Sequence, residues 1–75
     1  MTKRIKTNLR NILNDRGIEQ RQLAEMTGLS VRTISELVND KMKHYPKHAL
    51  EKIAAALDID DINELLTIDK RNSDE

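Results

Sequence analysis

Apart from Tyr45 the chain has no aromatic ring, and it has no cysteine. Its core must therefore come from Leu, Ile, Val, Ala and Met, with no disulfide to close a loop and no thiolate to hold zinc. At 75 residues it makes at most one domain and buries only roughly 60% of its unfolded surface. A small aliphatic core suits short packed helices and leaves little room for a deep catalytic cleft, so an enzyme is not expected. No apolar run approaches the ~20 residues of a membrane span. The basic start Met1-Thr2-Lys3-Arg4-Ile5-Lys6 is followed by no apolar stretch, which does not suit a secretory signal. A cytoplasmic domain is the expectation.

The net charge is zero, but it is unevenly spread. Residues 1–50 carry ten Lys and Arg against five acids, and residues 51–75 carry three against eight. A basic half suits a polyanion, with the acidic half held away from it.

Ile5, Leu9, Ile12 and Leu13 fall on one stripe of an amphipathic helix that Gly17 ends. A second helix fits Gln20 to Thr27, with Leu23 and Ala24 inward, Met26 a further candidate for the core, and Gly28 as its stop. Ser30 suits the N-cap of a third helix from Val31 to about Asn39, burying Ile34, Leu37 and Val38. Residues 39–46 lack a helical period and read as a loop. Pro46 suits the first turn of a fourth helix, whose stripe is Leu50, Ile53, Ala54 and Leu57. Asp60 or Asp61 can cap a short fifth helix through Ile62, Leu65 and Leu66. No strand pattern competes. The expectation is an all-α, compact five-helix domain over residues 1–68 and a polar tail over 69–75, disordered from Asn72 to Glu75.

The stretch Gln20 to Asn39, QRQLAEMTGLSVRTISELVN, is a helix, a turn led by Gly28, and a second helix. Small Ala24 allows a close crossing, while Leu23, Leu29, Ile34 and Leu37 fasten the pair to the other helices. The outer face of the second helix of the pair is then left proud of the body, shaped for a groove about 12 Å wide.

These residues resemble the lambda-repressor/Cro-type (XRE-like) helix-turn-helix family. The likeness is carried by Gly17-Ile18-x-Gln20, Leu23-Ala24, Gly28-Leu29-Ser30, Thr33-Ile34-Ser35, Pro46, Leu50-Glu51-Lys52-Ile53-Ala54-x-Ala56-Leu57 and Leu65-Leu66, over roughly residues 5–66. It implies a repressor-like fold whose helices 2 and 3 form the motif, the third helix reading base edges. Gln20 falls at the glutamine that clamps the DNA backbone, and a helix N-terminus favours phosphate on general grounds. Ser30, Val31, Arg32, Ser35 and Glu36 fall at or beside groove-facing positions, with Ser30 assigned to phosphate. Asn39, Lys41 and Lys43 fall where the following loop meets phosphate.

Arg32 can contact guanine O6 and N7 in bidentate fashion, and Glu36 can accept from cytosine N4. Alternatively the two pair with each other at i and i+4 on a solvated surface. Val31 either touches a thymine methyl or is partly buried, and Ser30 either meets phosphate or only caps. The sequence departs from the family where an Arg–Glu pair is common, having Leu13 and Val38, which are expected to pack together. It departs again at Asp40, where Gly is usual, so Asn39 or Asp40 must supply a left-handed cap.

His44 and His48 lie four apart around Pro46 with no carboxylate on an evident shared face, so no metal, cofactor or small-molecule ligand is expected. Tyr45 suits loop packing or a phosphate hydrogen bond. Lys3, Arg4 and Lys6 form either a phosphate-binding arm or a frayed terminus. The expected partner is a double-stranded DNA operator, bound by a phage or prokaryotic regulator of the repressor kind. Homodimerisation would use helix 5 and the segment after it through Ile62, Leu66 and Ile68, unless these only cap the core. The rival readings are an antitoxin-type autorepressor and a protein-interaction module that reads no DNA.

Overall fold

The computed structural model describes residues 2–71. The chain runs β1 (Thr2–Thr7), α1 (Leu9–Arg16), α2 (Gln20–Thr27), α3 (Val31–Val38), α4 (Lys47–Leu57), α5 (Ile62–Leu65) and β2 (Leu66–Arg71). The five expected helices are present, but the fold is not all-α. β1 and β2 pair antiparallel in a two-stranded sheet, with Ile5 opposite Ile68 and Thr7 opposite Leu66. Ile5 is thus a strand residue, and α1 begins only at Leu9. Leu66 also leaves its expected helix for β2, which continues through Asp69 to Arg71, residues expected in a polar tail. The expected disorder of Asn72 to Glu75 lies outside the described residues.

The physical reason for these differences is long-range pairing. The β-branched residues Thr2, Ile5, Thr7, Thr67 and Ile68 suit extended backbone once a partner strand is present, but the partners come from opposite ends of the chain. A helical window centred on Leu9 sees only that Ile5 is four residues away. The ladder carries on into the body through the Asn8 amide, which donates to the Leu65 carbonyl at 2.8 Å.

The core gathers Leu9 and Leu13 of α1, Leu23 and Ala24 of α2, Ile34, Leu37 and Val38 of α3, Ile53 and Leu57 of α4, with Ile59 and Leu65. Leu13 and Val38 are both buried in this cluster and border the same shallow depression. Ile18 and Leu29, the residues after the two glycines, pack against it from the rim. Met26 points outward, and Thr27 takes the inward place instead. Its hydroxyl donates to the Leu23 carbonyl at 2.8 Å and accepts from the Leu29 amide at 3.2 Å, so its polar atom is satisfied while its methyl is buried.

The ends of α3 are fixed on both sides. Ser30 Oγ accepts from the Thr33 amide at 3.0 Å, an N-cap. At the other end Asp40, not Asn39, adopts the left-handed conformation, with φ +58°. The amides of Asp40 and Lys41 then donate back to the carbonyls of Leu37 and Glu36 at 3.3 and 2.9 Å, the paired bonds of a Schellman ending. A glycine would adopt this backbone without strain, but it would lack the carboxylate. Asp40 Oδ1 accepts from the Thr7 amide at 3.1 Å, while Thr7 Oγ1 donates to the Leu37 carbonyl at 2.7 Å. The end of β1 is in this way bonded to the end of α3. The Tyr45 hydroxyl lies 3.2 Å from both Asp40 Oδ1 and the Ile5 carbonyl, its one proton serving these two acceptors. Burial, and then the nearby Asp40 carboxylate, raise the pKa of this phenol above its ordinary 10.0, keeping it a neutral donor.

Ser30→Ala removes the cap and should cost about 1 kcal/mol in urea unfolding. Asp40→Ala removes a shared acceptor and puts a β-carbon without compensation at positive φ, which should cost about 2 kcal/mol or more. Asp40→Asn keeps an oxygen acceptor and tolerates the left-handed backbone, so it should fall within about 1 kcal/mol of the parent. Equal losses in the alanine and asparagine variants would contradict this account.

Candidate nucleic-acid interface

α2 and α3 are joined by Gly28, Leu29 and Ser30. Gly28 is at φ +77°, and its amide donates to the Ala24 carbonyl at 2.8 Å, closing α2. Because Ile34, Leu37 and Val38 fill the core from one side of α3, the opposite side faces solvent. Arg32 is exposed there, with Ser35 and Glu36 half-buried beside it; Val31, on the side of Ile34 and Val38, is exposed because it opens the first turn.

The Arg32 side chain is 87% exposed and that of Glu36 38% exposed. They pair through Arg32 Nε and Glu36 Oε2 at 3.3 Å. This contact is made by Nε and not by the two terminal Nη groups, the fork that fits guanine O6 and N7. So close a pair on an open surface is worth only a few tenths of a kcal/mol.

Ser30, besides capping, donates its own proton to Thr33 Oγ1 at 2.9 Å. Its hydroxyl is therefore engaged at both ends within the first turn of α3. Gln20 is the first residue of α2 and half-buried. The preceding Glu19 amide donates to Gln22 Oε1 at 2.8 Å, which organises this helix start.

At the far end of α3, the exposed Asn39 links two elements. Its side-chain N–H groups donate to the Ser35 carbonyl at 2.9 Å and to Ser35 Oγ at 3.2 Å, and its oxygen accepts from the Arg10 guanidinium. Arg10 also borders the polar depression lined by Gln20 and Glu19. It thus bridges the space between the start of α2 and the end of α3. Sequence reasoning did not single out Arg10. The available signal was its place off the Leu9–Leu13 stripe of α1, but its neighbours come from α2 and α3, which no local pattern reveals.

Lys41 and Lys43 are exposed on the loop after α3, whose start is fixed by the Lys41 amide bond to Glu36. His44 and His48 are also exposed. Among the described residues no three His, Cys, Asp or Glu side chains group closely enough to hold a metal ion. No described helix is long and apolar enough to cross a membrane.

The surface formed by the starts of α2 and α3, the outer side of α3 and the loop behind it therefore offers donors and cations: Gln20, Arg10, Arg32, Asn39, Lys41 and Lys43. The acids at or beside it include Glu19, Glu36, which is paired with Arg32, and Asp40, which is bonded to Thr7 and Tyr45. Such a surface suits a polyanion with addressable hydrogen-bonding edges. In comparisons with known proteins, neither a curated protein nor a solved structure matches the chain. The model of the Cro/C1-type HTH DNA-binding domain family matches residues 8–71, a span that takes in every helix and β2 but not β1. The chain belongs to the family of Cro/C1-type HTH DNA-binding domains.

Proposed function

We propose that the protein is a small transcription regulator of prokaryotic or phage type, a repressor, that binds an operator sequence-specifically with α3 in the major groove and has no catalytic activity. The observation that carries this reading is the almost fully exposed Arg32 on the outer side of α3, within a chain matched by a DNA-binding family. α2 and α3 act as the helix-turn-helix. Arg32 contacts guanine through its Nη fork, Val31 touches a thymine methyl, and Ser35 and Glu36 complete the base-reading face. Gln20 at the start of α2 holds one phosphate. Asn39, Lys41 and Lys43 hold the next stretch of backbone, and Arg10 joins them through its bond to Asn39. Ser30 is assigned to phosphate as well, by turning the proton it gives Thr33 Oγ1 toward a phosphate oxygen while its oxygen keeps capping α3.

One helix reads only a few base pairs. Useful specificity therefore needs two copies on a near-palindromic site, with half-sites about 34–36 Å apart. Self-association is assigned to α5 and the segment after it, where Ile62 and Ile68 are exposed and Leu66 half-buried.

Selection of preferred sequences from random duplex DNA, followed by titration in steps of salt, tests this reading. Arg32→Ala should relax the selected sequence at one base position and cost about 1–3 kcal/mol there. Lys43→Ala should weaken all sequences alike and reduce the salt slope by about 1. No enrichment of any sequence and no salt-dependent binding by the parent chain would refute the proposal.

A further inference from the structure

A serine on a DNA-reading helix carries little information by itself, because its hydroxyl can give a hydrogen bond to one base edge or take one from another. Ser35 is not left with that freedom. It lies half-buried on the outer side of α3, one turn after Arg32, and a directed series of hydrogen bonds ends on it. The Arg10 guanidinium of α1 donates to Asn39 Oδ1. Asn39 Nδ2 donates in turn to the Ser35 carbonyl at 2.9 Å and to Ser35 Oγ at 3.2 Å. The amide cannot be turned round. A guanidinium only donates and a carbonyl only accepts, so the oxygen of Asn39 must face Arg10 and its nitrogen must face Ser35.

We propose that this relay fixes Ser35 as a hydrogen-bond donor in the major groove, so that it selects a base whose edge offers only acceptors, guanine or thymine. Asn39 and Arg10 are the positioning residues that set this polarity. Accepting from Asn39 occupies one of the two acceptor sites of the Ser35 hydroxyl. It also polarises the hydroxyl, since each bond in a chain strengthens the next donor and weakens its oxygen as a second acceptor. The chain starts on a guanidinium that is always charged, and a bond from an ionised donor is roughly twice as strong as a neutral one. Its direction therefore runs outward, from α1 through Asn39 to the Ser35 proton.

Serines inside helices commonly turn their proton back to the carbonyl four residues earlier. For Ser35 that carbonyl belongs to Val31, and among the described residues the Ser35 hydroxyl makes no such bond, its one partner being Asn39. In the groove, guanine presents N7 and O6 and thymine presents O4, all acceptors, whereas cytosine presents the N4 amino group and adenine adds its N6 amino group beside N7. A proton aimed at an amino group meets another donor and leaves both unsatisfied. The discrimination against adenine and cytosine thus comes from a residue of α1 that touches no base. The proposal rests on the operator reading and names which base edges that site takes.

Selection from random duplex DNA with the full chain and its variants tests this. Ser35→Ala should erase the preference at one position of the half-site, which identifies the base that Ser35 reads. At that position the parent should favour guanine or thymine over adenine or cytosine by about fivefold. Asn39→Asp keeps an oxygen for Arg10 but turns an oxygen, not an N–H, toward Ser35. The Ser35 proton then points inward, and the preference should reverse to adenine or cytosine. The added negative charge weakens all sequences alike, so the ratio between bases at this one position is the readout. Arg10→Ala changes no residue of α3 and frees the amide to turn, so it should flatten the preference without reversing it; it decides the matter if Asn39→Asp loses its helical circular dichroism. A parent that favours cytosine or adenine at the Ser35 position overturns the proposal, as does a folded Asn39→Asp or Arg10→Ala variant whose preference there is unchanged. So does a Ser35→Ala variant that alters no position. In each of these cases a parent that still enriches a sequence leaves the operator reading standing, whereas a parent that enriches none refutes both.

Discussion

The Asp40 carboxylate accepts from the Thr7 amide and lies within hydrogen-bonding reach of Tyr45, while the backbone of the same residue turns left-handed to end α3. Three separate stretches of chain meet at this one side chain: the end of β1, the end of α3 and the loop before α4. In a protein without disulfides and with so small a core, such a junction decides where flexible segments go. Positive φ disfavours any residue with a β-carbon, by roughly 1–2 kcal/mol. The hydrogen bonds made by Asp40 offset that cost, which explains why an acid is found at a position where glycine would be unstrained.

The same junction settles an electrostatic question. An acid beside a loop proposed to meet phosphate would repel the ligand if its charge faced outward. Asp40 instead directs its carboxylate at a half-buried amide and phenol, and Lys41 and Lys43 remain exposed on the loop. Glu36 is likewise engaged by Arg32. Exposed cations and donors therefore dominate the surface around α3, even though the chain as a whole is neutral. The compensating acids lie at Asp58, Asp60, Asp61 and Glu64, after α4 and in α5.

The helices were legible in the sequence because each one is coded locally. Gly17 and Gly28 do adopt the left-handed backbone that stops a helix, and Ser30 does cap α3. The apolar stripes of Leu23–Ala24, Ile34–Leu37–Val38 and Ile53–Leu57 do meet in one core. The ribbon was not legible, since its pairing joins residues at the two ends of the chain and each strand alone is short and mostly polar. Ile5 in particular satisfies a helical spacing and a strand alternation equally well, and only its partner Ile68 decides between them. The candidate site divides in the same way. Arg32, Ser35 and Glu36 follow from the period of α3, whereas the link from Arg10 to Asn39 needs the packing of α1 on α3.

The Arg32–Glu36 pair need not compete with the base contact proposed for Arg32. Its two charges sit four residues apart on an open helix face, where water screens them and the pair is worth little. If the guanidinium had been held by a buried carboxylate through its Nη groups, releasing it to a base edge would cost several hydrogen bonds at once. The observed contact is through Nε, so the guanine contact proposed for the terminal fork need not break it. Glu36 then limits the freedom of a long, flexible side chain that would otherwise lose up to about 2 kcal/mol of rotamer entropy on binding. A weak pair in that geometry aligns the arginine without withholding it.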